Sequence, residues 1–96
     1  MKPMVVASVC IGCLVRDSSS LKDKRQVIRS LKDRIRSHFN VSVAEVDHQD
    51  LWQRATIGVS VVAVDAQSAR HVLEQVIRFV EHDVRLSLLD APVVIH

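Results

Sequence analysis

Val41-Ser42-Val43-Ala44-Glu45-Val46, then His48-Gln49-Asp50, then Arg54-Ala55-Thr56-Ile57-Gly58-Val59-Ser60-Val61-Val62-Ala63-Val64: this stretch decides the fold. The two outer runs are rich in β-branched, apolar residues and read as strands. The polar triplet between them reads as a turn, and so short a connection favours a hairpin over a crossover. Upstream, Ser20 with Asp23 approximates a capping box, and Val27, Ile28, Leu31, Ile35 and Phe39 follow at helical spacing, which predicts a helix over 20–38 ended by Asn40. Residues 4–15 are again apolar and β-branched, and Ser18-Ser19-Ser20 interrupts them. Downstream, Asp65 caps a second helix to about residue 81, with Ala69, Val72, Leu73, Val76, Ile77 and Val80 as its stripe. Residues 85–95 read as a fourth strand in which Pro92 marks an edge or a bend.

The order is therefore β-α-β-β-α-β, and right-handed crossovers turn it into an α+β ferredoxin-like sandwich. One domain over 1–96 is expected, with a four-stranded antiparallel sheet and two helices on one face. Alternation assigns that face to Val5, Ala7, Val9, Ile11, Cys13 and Val15, matched by Ile57, Val59, Val61 and Ala63. The opposite face would carry Met4, Val6, Ser8, Cys10, Gly12 and Leu14 beside Thr56, Gly58, Ser60, Val62 and Val64, none of them charged. A bare uncharged patch of that size favours self-association, so a homodimer is expected through Val6, Cys10, Leu14 and Val62.

Composition agrees with a small globule. Of 96 residues 48% are hydrophobic, 25% are charged and only four are Gly or Pro, which excludes a disordered tail or a fibrous repeat. No apolar run approaches the roughly 18 residues needed to cross a bilayer, and Met1-Lys2-Pro3 opens no signal peptide, so neither membrane insertion nor export is expected. Two cysteines without a secretion signal point to reduced thiols in a cytoplasm. Cys10 and Cys13 form a C-x-x-C, but within a strand positions i and i+3 face opposite ways, so neither a metal nor a disulfide is expected there.

Charge is concentrated. Residues 16–39 hold eight of the thirteen Lys and Arg against three acids. At about 100° per residue, Lys22, Arg25, Arg29, Lys32 and Arg36 fall on one arc about 80° wide, opposite the apolar stripe. A solvated face usually mixes signs to gain i,i+4 pairs, as Arg70, Glu74, Arg78 and Glu81 do on the second helix. The basic arc thus suits a phosphate backbone, with Arg54 as a possible addition. Ser19, Ser20 and Lys24 at the helix start form a candidate phosphate cradle, but a loop with a capping serine is the favoured reading, since no glycine-rich P-loop accompanies them. Glu45, Asp47, His48 and Asp50 gather three carboxylates and an imidazole near the hairpin. Asp47 and His48 alternate across a strand, so a shared metal would require the turn to fold back, and a hydrolase using Asp47, His48 and Asp50 ranks last among the readings, behind polar hairpin chemistry. Phe39, Trp52 and Phe79 are the only aromatics, and none stands on a strand where an RNA-recognition motif would stack bases. Phe39 lies on the core-facing arc, and Trp52 either caps the core end or meets a partner. The glycine-rich anion loop that an acylphosphatase needs is missing.

Ser20-Leu21-Lys22-Asp23-Lys24-Arg25, Arg29-Ser30-Leu31, Phe39-Asn40-Val41-Ser42-Val43-Ala44-Glu45, Asp50 and Arg54 together resemble the pattern of the small bacterial YlxP-like proteins, a family of unknown function. The resemblance covers essentially the whole chain. It implies a ferredoxin-like domain in a bacterial cytoplasm, with family genes often lying among translation and ribosome-maturation genes. It supplies no catalytic residue. The expected function is a non-enzymatic domain contacting structured RNA or the ribosome through the basic helix, without a cofactor. The alternative is a small-molecule-sensing or scaffold domain that pairs through its open sheet face.

Overall fold

A computed structural model describes residues 4–96. The chain runs β1 (Val5–Val15), α1 (Leu21–His38), β2 (Ser42–Asp47), β3 (Arg54–Ala63), α2 (Ala66–Glu81), β4 (Leu86–Asp90) and β5 (Val93–Ile95). Strand order is β2-β3-β1-β4, with β5 also on β1 and every pairing antiparallel. This is the expected α+β ferredoxin-like sandwich, with one change. The fourth lane is two strands: β4 pairs with residues 12–15 of β1 and β5 with residues 7–9. Ala91-Pro92 separates them, because proline has no N–H to give to the ladder.

Local chemistry sets the helix starts. Ser20 Oγ accepts the Asp23 N–H at 3.1 Å, while the Asp23 carboxylate accepts the Ser19 N–H at 3.3 Å and the Ser19 hydroxyl at 2.8 Å. The capping box thus closes on Ser19, one residue before the cap itself. Those bonds from Ser19 hold the Asp23 carboxyl below its ordinary range. Asp65 caps α2 by accepting the Ser68 N–H at 2.7 Å, and its carboxyl is lowered for the same reason.

The core lies between the sheet and both helices. Ala7, Val9, Ile11, Cys13 and Val15 of β1 and Ala55, Ile57, Val59 and Val61 of β3 are buried against Ile28, Leu31 and Ile35 of α1 and Ala69, Leu73, Val76 and Val80 of α2. Each large aliphatic side chain contributes about 1.5–3 kcal/mol by leaving water. Phe39 is the C-terminal cap of α1 and only half-buried; its ring meets Phe79 edge-on at 5.6 Å and docks the end of α1 on α2. In β2 the pairing shifts register between Glu45 and Asp47, and Val46, which alternation puts on the open face, lies over Gly58, where a Cβ would lie 2.8 Å from Val46 Cγ1.

Candidate nucleic-acid interface

The capped helix presents its predicted stripe. Lys22, Arg25, Arg29 and Arg36 are exposed and Lys32 is half-buried. Among the described residues no carboxylate lies within 4.0 Å of Lys22, Arg25, Arg29 or Lys32. Arg36 differs. Its guanidinium lies 3.4 Å from Asp33 Oδ1 and donates to the Val43 carbonyl at 3.1 Å, so it serves the edge strand β2. The free part of the stripe is thus four cations.

The serine cradle takes another form. Both Ser19 donors go to Asp23, which fills the position a phosphate would need. Lys24 is absent from it: its side chain is wholly buried, with Nζ 2.6 Å from Glu45 Oε2 and donating to the His48 carbonyl at 2.7 Å. The helical wheel contains the reason. With Lys22 at zero, Lys24 falls at about 200°, between Leu31 at about 180° and Ile35 at about 220°, inside the apolar arc. Glu45 alternates with Val43, which is buried beneath α1, so the two charges meet under the helix. Angle and alternation together are the sequence signal for this pair.

A second buried ion cluster had no such signal. The Asp83 side chain is 3% exposed and accepts from Arg85 at 2.6 and 2.9 Å and from Arg34 at 3.3 Å. The Arg85 hydrogen bonds hold its carboxyl below the usual carboxylate range. Cys13 is near both clusters; burial pushes its thiol up to about 11, with Lys24 pulling down and Glu45 and Asp83 pushing up. Cys10 is exposed and Cys13 buried, on opposite faces of β1 as the alternation requires. Around the hairpin, Asp47 accepts the His48 N–H at 2.7 Å and the His48 ring meets the Thr56 hydroxyl at 2.8 Å, while Asp50 is exposed. Among the described residues no group of three His, Cys, Asp or Glu is placed to hold a metal ion.

The open sheet face corrects two expectations. Val6 stands opposite Val62, Cys10 opposite Gly58 and Leu14 opposite Arg54. Arg54 is therefore on the open face, since its neighbour Ala55 is buried on the other, and it does not extend the α1 stripe. Nor is the face free of charge. The Asp90 carboxylate lies over Gly12, where a Cβ would collide with it, and Arg16 Nε donates to Ser87 Oγ at 2.7 Å beside Leu14. The apolar part is the central patch of Val6, Cys10, Val46 and Val62, the last 62% exposed.

Two comparisons with known proteins bear on this geometry. A family model described as "Protein of unknown function (DUF503)" matches residues 6–93. The uncharacterized protein YlxP of Bacillus subtilis (strain 168) is 35% identical over 69 residues, which is 72% of this chain and 75% of that protein.

Proposed function

Since the chain belongs to the DUF503 family of proteins of unknown function, a premise that prescribes no chemistry, we propose from its surface that it is a non-enzymatic domain binding structured RNA, on its own or within the ribosome, through the outer face of α1. The observation that carries this reading is the run Lys22, Arg25, Arg29 and Lys32, aligned on one arc without a carboxylate in salt-bridge range among the described residues. The contrast with α2 lies in the order of charges rather than in closed pairs: α2 mixes signs along one face with Arg70, Glu74, Arg78 and Glu81, the usual pattern of a solvated helix, although none of these pairs closes to within 4.0 Å, whereas the α1 arc has one sign throughout. Backbone contacts from one helix face, without base-stacking strands, favour shape over sequence. A cytoplasmic setting accords with two free thiols on opposite faces of a strand, and no helix of the described residues is long and apolar enough to cross a membrane.

The test is the salt dependence of affinity for an RNA hairpin duplex. Four phosphates neutralised give a slope of log K against log salt of about −3.6. Reversing Arg25, Arg29 and Lys32 to Glu should flatten the slope towards about −1 and remove most affinity at moderate salt. An affinity unchanged by the triple reversal overturns the reading.

The patch of exposed Cys10, Val46 and Val62 with half-buried Val6 favours a second role for the centre of the other face, pairing with another copy of the chain. A two-fold contact of about 800 Å² per partner would cover it. Cys10→Lys places an ammonium in that contact without touching the helix-covered core. Light scattering should give the parent chain twice the mass of the variant; a monomeric parent at high micromolar concentration removes the dimer. The sensing or scaffold alternative would then be favoured by a metabolite that stabilises the fold in a thermal-shift screen while duplex binding is absent.

A further inference from the structure

We propose that the groove at the end of β1, under the β2–β3 connection, is a binding site for an unpaired nucleotide of RNA, its base lying on the Trp52 indole and its phosphate on Arg54. The groove is about 290 Å³ and is lined by Leu14, Leu51, Trp52, Gln53 and Arg54. Leu14, Leu51 and Trp52 are 43, 47 and 46% exposed, and Trp52 is not among the residues packed on the core. An indole left half in water contributes little to folding, while its face offers a stacking surface for a planar ring.

Cations flank that floor. Arg54 stands opposite Leu14 on β3, and Ser87, which accepts from Arg16 Nε at 2.7 Å, stands opposite it on β4. Among the described residues neither guanidinium has a carboxylate within 4.0 Å; Asp17 and Asp50 are exposed and bridge to neither, and Asp90 lies one pleat along β1, over Gly12. A simple anion would use the arginines and leave the apolar floor wet. An apolar peptide would cover the floor and leave both guanidiniums unpaired. A nucleotide satisfies both, through stacking and charge-assisted hydrogen bonds.

The site rests on the reading of α1 as an RNA face and extends it. The His48 carbonyl accepts both the Lys24 ammonium at 2.7 Å and the Leu51 N–H at 3.1 Å, so the loop bearing Leu51 and Trp52 is tied to the first turns of α1.

Trp52 is the single tryptophan, so its fluorescence reports this groove alone. Titrating the full chain with hexauridylate should quench it, and Arg54→Ala should weaken the titration by about tenfold or more. With a labelled oligonucleotide read by anisotropy, Trp52→Ala should lose roughly 5- to 150-fold in affinity and Trp52→Phe should recover part of that. Both positions are exposed, and unchanged circular dichroism should confirm the fold of each variant. Duplex affinity and its salt slope should be unaffected by either variant. Reversal of Arg25, Arg29 and Lys32 should abolish duplex binding and leave the quench, so the two sites fail separately. Absence of quenching, or an affinity for hexauridylate indifferent to Trp52→Ala, overturns the proposal. Quenching by a short apolar peptide with none by hexauridylate overturns it too and gives the groove to a protein partner.

Discussion

The inner and outer faces of α1 hold the same kind of residue under opposite conditions. Lys24 is sealed between the helix and the sheet with Glu45 and the His48 carbonyl, whereas Lys22, two positions earlier, stands in water without a carboxylate in reach. The inner cation is part of the fold. It is desolvated, and only its two partners offset that cost. The outer cations cost the fold almost nothing and leave their charge available to something else. A residue's position on the helical wheel therefore separates architectural charge from free surface charge more sharply than its identity does.

The largest effect should come from breaking the inner face. Lys24→Ala strands the Glu45 carboxylate under α1 and should cost about 3–5 kcal/mol, measured by urea unfolding, whereas Arg25→Ala, one position on, should stay within about 0.5 kcal/mol. Pairing Lys24→Met with Glu45→Leu should regain most of the loss, because the desolvation cost leaves with both charges. Equal losses at positions 24 and 25 would erase the distinction. The second buried cluster extends the comparison to the connection between α2 and β4. Asp83→Asn should cost about 1.5–3 kcal/mol by weakening the bonds to Arg85 and Arg34. Because the native Asp83 carboxyl is held low by Arg85, its contribution is present above the ordinary aspartate value of about 3.9 and is lost as pH falls through the lower native one. The gap between variant and parent should thus close in strong acid; a gap that persists there would mean packing rather than charge.

The smallest effect concerns the thiols, which sample the two faces of the sheet as the lysines sample those of the helix. A mild alkylating reagent should label Cys10 in the native chain and Cys13 only after unfolding, as mass spectrometry would count. With Cys13 pushed up to about 11 by burial, its contribution to stability is whole below the free-thiol value of roughly 8.5 and is lost as pH rises towards 11. Double labelling without unfolding would contradict the burial.

The sequence made the fold legible where chemistry is local. Ser20 and Asp23 mark the start of α1 and Asp65 that of α2, while Pro92 marks an edge or bend in what reads as one strand and the structure divides into β4 and β5. Alternation in β1 assigned the core face and set Cys10 apart from Cys13. The site was legible only in part. Charge alone groups Lys24 with its basic neighbours, although its angle lies between those of Leu31 and Ile35. Asp90 over Gly12 depends on a register shift between Gly12 and Cys13, and Asp83 meets Arg34 across 49 residues. Register shifts and long-range ion pairs arise from tertiary packing, and no window of sequence contains them.

β1 is hydrogen-bonded to β3, β4 and β5, and its partners stand far along the chain, Val5 with Ala63 and Ala7 with Ile95. Such distant pairings close late and slow folding. During synthesis the first strand leaves the ribosome before any of these partners has been made. For that interval eleven residues without a single charge, from Val5 to Val15, have bare edges. An uncharged segment of high β-propensity in that state seeks strands of other chains. The most deeply embedded strand of the finished molecule is thus its greatest aggregation hazard while it is being born, and the chain should depend on chaperone cover until β3 and the last two strands arrive.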